Sequence, residues 1–244
     1  MGLYRDQGVV LRTYRLGEAD RIVVIATRTS GKVRAVAKGV RKTKSKFGGR
    51  LEPVSHVALQ LYEGRDLDIV TQAEVIDHFR AIREDLERLT KATTLLEAVD
   101  QVAQEGEPNA RLYSMLVGAL RSLASHDSAL LVPAFFWKLL ALEGAQPILD
   151  ECASCGAAAG DGGGVELVAF DLADGGTLCR NCRRGMPISA DALELIRRIL
   201  GGDLAAVLRD DAGPVAHDVG ALATRALEFH LERRLRSPGV LDRA

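Results

Sequence analysis

The sequence predicts an α+β protein of more than one domain: a small closed β-barrel first, then a helical domain with a four-cysteine metal module inserted into it. Three observations point there. The first eighty residues hold five β-rich runs separated by turn signals. From about residue 78 the apolar period changes from that of strands to that of helices. Four cysteines, the only ones in the chain, form two Cys-x-x-Cys pairs with 23 residues between them. A chain of 244 residues with 47% hydrophobic content is long enough for two domains and a sizeable core.

The β-rich runs are residues 9–11, 22–26, 33–37, 54–62 and 67–70. Ser30-Gly31 is a hairpin signal between the second and third. In the fourth, Val57, Leu59 and Leu61 fall on one face, and Glu63-Gly64-Arg65 turns the chain into the fifth. Five short strands with one long irregular loop at 38–52 fit an OB-fold barrel.

Beyond it, Leu89, Ala92, Leu96, Val99 and Ala103 draw one helical stripe, which the Glu-Gly-Glu-Pro-Asn of 105–109 stops. Leu112, Leu116, Ala119 and Leu123 mark the next helix. Residues 130–142, with Phe135, Phe136 and Trp137, are apolar nearly all round and form the centre of a helical core; Pro133 is compatible only with that helix's first turn. The apolar stretch is too short for a membrane span and carries Lys138. A Gly/Ala-rich tip at 156–164 precedes a strand at 165–171. Ser189 is an N-cap with Asp191 in the first turn, followed by the stripe Leu193, Ile196 and Leu200 and a stop at Gly201-Gly202. A last helix is expected at 215–236, with Val219, Leu222, Ala226 and Phe229 inward. The expected domains are a barrel at 1–79, a first helical part at 80–150, a cysteine module at 151–186 and a last helical part at 187–244.

The net charge of −1 conceals an asymmetry. Residues 1–50 hold thirteen Lys and Arg against three Asp and Glu, while the remainder holds nineteen against thirty. A basic first fifth on an acidic body suits an anionic partner. The charge concentrates in the loop, where Lys38, Arg41, Lys42, Lys44, Lys46 and Arg50 meet no acidic residue, and Arg34 precedes them on a strand. With Phe47 and Tyr14 as stacking platforms, these residues suit a single-stranded nucleic acid, cations tracking phosphates and rings holding bases. The blander alternatives are a solvated turn for the cations and a barrel plug for Phe47. No residue pattern here reads base edges, so little sequence specificity is expected. A second group, Arg197, Arg198, Arg225, Arg233, Arg234 and Arg236, is either a further contact surface or a set of charges favourable at helix ends.

Cys152, Cys155, Cys179 and Cys182 are spaced as two zinc knuckles, each presenting two thiolates to one tetrahedral Zn²⁺. The redox alternative for Cys-x-x-Cys lacks the βαβ context it needs here, and four cysteines leave a zinc ion no open position for catalysis. His126-Asp127-Ser128 offers triad residue types, but sequence neighbours cannot form the relay, and the segment reads as an inter-helix turn. His56, His78, His217 and His230 are scattered and read as ordinary surface or partly buried residues. No P-loop or G-x-G-x-x-G is present, so neither nucleotide hydrolysis nor a nucleotide cofactor is expected. The chain opens Met-Gly-Leu-Tyr-Arg-Asp without an apolar signal core, so a cytoplasmic location is expected, with zinc rather than disulfides.

Several phrases together resemble one family. They are Gly8-Val-Val-Leu11, Gly17-Glu-Ala-Asp20, Gly31-Lys-Val33, Val36-Ala-Lys-Gly39, Ser45-Lys-Phe-Gly-Gly-Arg-Leu51 and Thr71-Gln-Ala-Glu74, then Phe136-Trp-Lys-Leu-Leu140, Cys152-Ala-Ser-Cys155-Gly156 and the Glu-Phe-His-Leu-Glu-Arg-Arg-Leu run inside 225–237. The chain resembles the RecO family of bacterial recombination mediators over essentially its whole length. The resemblance implies a non-enzymatic protein that binds single- and double-stranded DNA, anneals complementary strands and helps load the RecA recombinase in recombinational DNA repair. It implies RecR and the C-terminal tail of the single-strand binding protein as partners, one structural Zn²⁺, no membrane association and a nucleoid-associated location. Carried onto this chain, the DNA face comprises Arg34, Lys38, Arg41, Lys42, Lys44 and Lys46, to which the loop reading adds Phe47 and Arg50. The rival classes are an OB-fold and zinc RNA-binding factor, a protein-binding adaptor and a thiol oxidoreductase.

Overall fold

The computed structural model describes residues 2–160, 164–210 and 213–237. Two compact units divide it: one runs to Asp127 and regains the chain at Leu235, and the second spans Ser128–Arg234.

The first unit opens with strands β1 (Leu3–Leu16), β2 (Asp20–Thr27), β3 (Lys32–Ala37), β4 (His56–Tyr62) and β5 (Asp68–Asp77). They close a barrel in the order β1-β2-β3-β5-β4, the arrangement expected of an OB-type fold. The strand β1 is far longer than the run 9–11, because the polar Arg5, Gln7 and Arg12 point outward along it and hide it from an apolar count. It bends at a bulge between Val10 and Arg12, and so pairs with β4 through Leu3–Val9 and with β2 through Gly8–Leu16. Where both pairings overlap, a side chain on Gly8 would lie 2.4 Å from the Ile25 methyl, so only glycine fits. The β2–β3 hairpin turns at Gly31, which has φ 71° and would also collide with the Glu107 backbone if it bore a Cβ. The barrel closes through a short parallel pairing, Ala35 with Asp68 and Val36 with Ile69.

The barrel interior holds Val10, Val23, Ile25, Val57, Leu59, Leu61 and Val70, together with Phe47 and Leu51 from the long loop. Phe47 is only 1% exposed. The expected stacking platform is therefore corrected: its ring is an apolar plug under the loop, because burying a Phe side chain is worth roughly 1.5–3 kcal/mol and the barrel end offers the cavity.

Three helices complete this unit: the single turn α1 (Arg80–Arg83), then α2 (Leu86–Val102) and α3 (Ala110–Ser125). The carboxylate of Asp85 accepts from the Arg88 N–H and the side chain of Asn109 from the Leu112 N–H, so each long helix starts on a side-chain cap. Within α2, buried Asp100 pairs with Arg12 at 2.8 Å and lies 3.6 Å from the Lys32 ammonium, docking the helix on β1 and β3. Buried Lys91 is held between Glu87 and Asp127, and these carboxylates raise its pKa although burial opposes it.

The second unit packs α4 (Leu131–Leu142) against α5 (Ala190–Leu200) and α7 (Gly213–His230), with the short α6 (Leu204–Val207) between the latter two in sequence. Phe136, Trp137 and Leu139 of α4 are fully buried, and Pro133 lies in its first turn. A Cβ on Gly220 of α7 would approach the Pro133 ring at 3.3 Å, so the two helices are close-packed there. Ser189 caps α5 by accepting from the Ala192 N–H. The last helix ends at His230, short of the expected 236: Glu232 takes φ 51°, and the Arg233 N–H bonds back to the Glu228 carbonyl, the closure that ends a helix in a left-handed residue. A three-stranded sheet, β7 (Gly176–Cys179), β6 (Leu167–Asp171) and β8 (Met186–Pro187), lies between α4 and α5 in sequence. Of the Gly/Ala-rich tip, residues 161–163 lie outside the described residues. No described helix is long and apolar enough to cross a membrane.

Candidate nucleic-acid interface and metal centre

Lys38, Arg41, Lys42, Lys44, Lys46 and Arg50 are all exposed, as is Arg34 on β3. The loop that carries them is not a free tether. Asp20 accepts from the Gly39 N–H at its start, Phe47 and Leu51 are buried beneath it, and Val54, at φ 73°, donates to the Val10 carbonyl at its end. The cations that bond at all use backbone carbonyls: Arg41 donates to Glu18, Lys46 to Thr71 of β5 and Arg50 to Lys46. Among the described residues none of the six loop cations is ion-paired to a carboxylate, whereas Arg34 lies 3.6 Å from Glu105. Their positive charge is thus uncompensated at close range. Lys46 lies over the Phe47 ring at 4.9 Å, so a buried aromatic positions a surface cation. Tyr14 stays 43% exposed, with Arg12 at 4.9 Å from its ring.

The arginines of the second unit differ. Arg197 pairs with Asp150 at 2.8 Å and donates to the Leu149 carbonyl; Arg198 pairs with Asp203 and Asp210. Arg225 donates to the Met186 sulfur. The Arg236 and Ser237 backbone N–H groups, in the first unit, donate to the Glu97 carboxylate.

Cys152 and Cys155 lie on one turn, closed by the Gly156 N–H to the Cys152 carbonyl with Gly156 at φ 72°. Cys179 ends β7, and a 3₁₀ turn at Arg180–Cys182 brings Cys182 back to it. Thr177 ties the two turns together: its hydroxyl donates to the Ile148 and Glu151 carbonyls, and its carbonyl accepts from the Ala153 N–H. All four sulfurs lie within 4.8 Å of one another, with Cys155 and Cys179 4.0 Å apart. A tetrahedron of thiolates about 2.3 Å from a metal has edges of roughly 3.8 Å, so the four fit one ion. Burial opposes ionising Cys152, but backbone N–H groups of Cys179, Cys155 and Ser154 prevail and hold its pKa down to about 6. Cys182 is pushed up to about 12 by its hydrogen bonds with the Cys155 and Cys179 sulfurs. Packed thiols that cannot all ionise together are a donor set suited to a divalent cation.

Two features escape sequence inspection. His56 is 3% exposed, and its Nε2 meets the Tyr113 hydroxyl of α3 at 2.7 Å; burial and then Arg121 lower its pKa. A groove also runs over the outer face of β1, β4 and β5 beside Arg5, Gln60 and Gln72. The only sequence clue to either is alternation of polar residues, which names no partner across strands.

Known proteins match the chain end to end. The family model described as recombination protein O N terminal matches residues 1–79, and that described as recombination protein O C terminal matches 83–239. The chain is 44% identical to the DNA repair protein RecO of Frankia casuarinae over 250 residues, all of both chains. It is 42% identical to that of a Nocardioides species, covering 99% of this chain and 100% of the relative, and 43% identical to that of Streptomyces griseus, covering 97% and 98%.

Proposed function

Since the chain belongs to the RecO family of recombinational DNA repair proteins, we propose that it is a non-enzymatic mediator that binds single- and double-stranded DNA through the loop 38–50 and anneals complementary strands. The observation that carries this reading is the loop itself: six exposed cations, none ion-paired to a carboxylate, on a segment anchored by a buried aromatic. Two DNA strands repel each other through their phosphates. A surface of unpaired cations lowers that repulsion by displacing condensed counterions, and base pairing then proceeds without nucleotide hydrolysis. The DNA face comprises Lys38, Arg41, Lys42, Lys44, Lys46 and Arg50, with Arg34 at its margin. Phe47 supports them from below.

The cysteine centre holds one structural Zn²⁺ through Cys152, Cys155, Cys179 and Cys182; with four thiolates bound, the ion has no free position and no part in any chemical step. The likeness to named DNA repair relatives supports a setting in DNA repair; within it the proposed partners are RecR and the C-terminal tail of the single-strand binding protein, and the proposed task is assisted loading of RecA at the nucleoid in the cytoplasm.

The test is a salt titration of binding to a labelled single strand. Six phosphate contacts give a log–log slope of about −4, and reversing Lys42, Lys44 and Lys46 to Glu removes at least about 2 units of it. An unchanged slope would take the loop out of the DNA face.

A further inference from the structure

On the outer face of the barrel, Arg5, Gln60 and Gln72 lie side by side across β1, β4 and β5, paired in register. Each step between strands is about 4.8 Å, so this row of one guanidinium and two carboxamides spans roughly 10 Å. Glu74 lies one pleat further along β5, and Arg28 lines the same groove of about 600 Å³. One pleat in the other direction along β4 is Tyr62, which is 41% exposed.

Among the described residues, the side chains of Arg5, Arg28, Gln72 and Glu74 have no hydrogen-bonding or ion-pairing partner, and Gln60 is engaged only by Thr71. Two guanidinium groups are balanced by Glu74 and the buried Asp6, whose carboxylate is itself satisfied by Thr29 and the Gln7 N–H. The groove is therefore not an electrostatic funnel. Its lining is a neutral row of directional donors and acceptors, and the exposed Tyr62 ring lies outside that lining, one pleat beyond Gln60 on the same outward side of β4. Carboxamide, guanidinium and carboxylate groups are the side chains that pair with the polar edges of bases, and an exposed ring stacks on their faces. The groove also adjoins the basic loop: Lys46 donates to the carbonyl of Thr71, the residue next to Gln72.

We propose that this face of β1, β4 and β5 receives unpaired bases of a DNA single strand whose phosphates lie on the loop 38–50. The proposal rests on the loop reading for the path of the strand. Its consequence is a preference for base-bearing over base-free strands, which phosphate contacts alone cannot produce.

The experiment uses the intact protein, a labelled homopolymer single strand and an abasic strand of equal length. The wild-type protein is expected to bind the base-bearing strand about ten-fold more tightly. The exposed-residue variant Tyr62→Ala with Gln72→Ala is expected to lose that preference while keeping its affinity for the abasic strand and its salt slope. Gln72→Ala alone, at an exposed side chain without a partner, is expected to reduce the preference, and is read in its place if the double variant melts early. A wild-type protein without the preference, or variants that retain it in full, would overturn the proposal. The loop reading fails separately, through an unaltered salt slope in the Lys42, Lys44 and Lys46 reversal.

Discussion

The loop 38–50 displays lysine and arginine and the helix α5 displays arginine, with opposite consequences. On the loop the cations face solvent and bond, where they bond at all, to backbone carbonyls. On α5 each of Arg197 and Arg198 is met by a carboxylate from another segment, and Arg197 also holds the Leu149 carbonyl just before the first cysteine turn. One group is charge left available; the other is charge used to build the unit. Counting basic residues does not separate them, because neutralisation depends on which acids the fold brings near.

The largest expected effect breaks this contrast or confirms it. Reversing Lys42, Lys44 and Lys46 to Glu is expected to abolish strand annealing with no loss of thermal stability, measured by an annealing assay beside a melting curve. Arg197→Ala with Arg198→Ala is expected to do the converse: annealing unchanged, and a lower melting temperature. If the second variant lost annealing instead, the contrast would collapse.

Next in size is the residue beneath the loop. Phe47→Ala is expected to cost about 3–5 kcal/mol in chemical denaturation, since it empties a filled barrel end. A variant that bound DNA poorly yet unfolded like the wild type would restore Phe47 as a stacking surface.

The metal centre extends the comparison to the second unit. Cys152→Ser is expected to lower metal content from about one ion per chain and to change the emission of Trp137, the only tryptophan, whose ring meets Phe170 of β6 edge-on at 5.8 Å. Binding of the barrel to DNA is expected to persist. Retained metal would show that three ligands suffice.

The smallest effect belongs to His56. Its pKa is lowered in the folded state, so the unfolded chain takes up the proton first as pH falls. The stability it contributes is complete above about pH 6.5, the unperturbed value, and is lost as pH falls through the lower folded value. His56→Gln is expected to flatten the dependence of the melting temperature between pH 7 and 5. An identical slope in both proteins would discount it.

Much of this was readable along the chain, unevenly. The cysteine pairs, the Ser189 cap, the Pro133 first turn and the stripe from Ala92 to Val99 are local patterns, and each appears in the fold as spaced. The strand β1 was mostly hidden, because a barrel strand with a polar outer face shows its alternation weakly. Phe47 was ambiguous for a different reason: an aromatic among lysines looks the same whether its ring points out or in.

By itself, then, the sequence determined what depends on near neighbours. It specified which segments favour strand or helix, where helices begin, that four cysteines pair in metal-ligand spacing, and that one loop concentrates positive charge. Only the tertiary structure decided which cations remain unpaired, that Phe47 fills the barrel, that His56 meets Tyr113, and that Arg5, Gln60 and Gln72 form one row. Those outcomes join residues tens of positions apart through strand register and packing, and no local preference encodes which distant partner a side chain will meet.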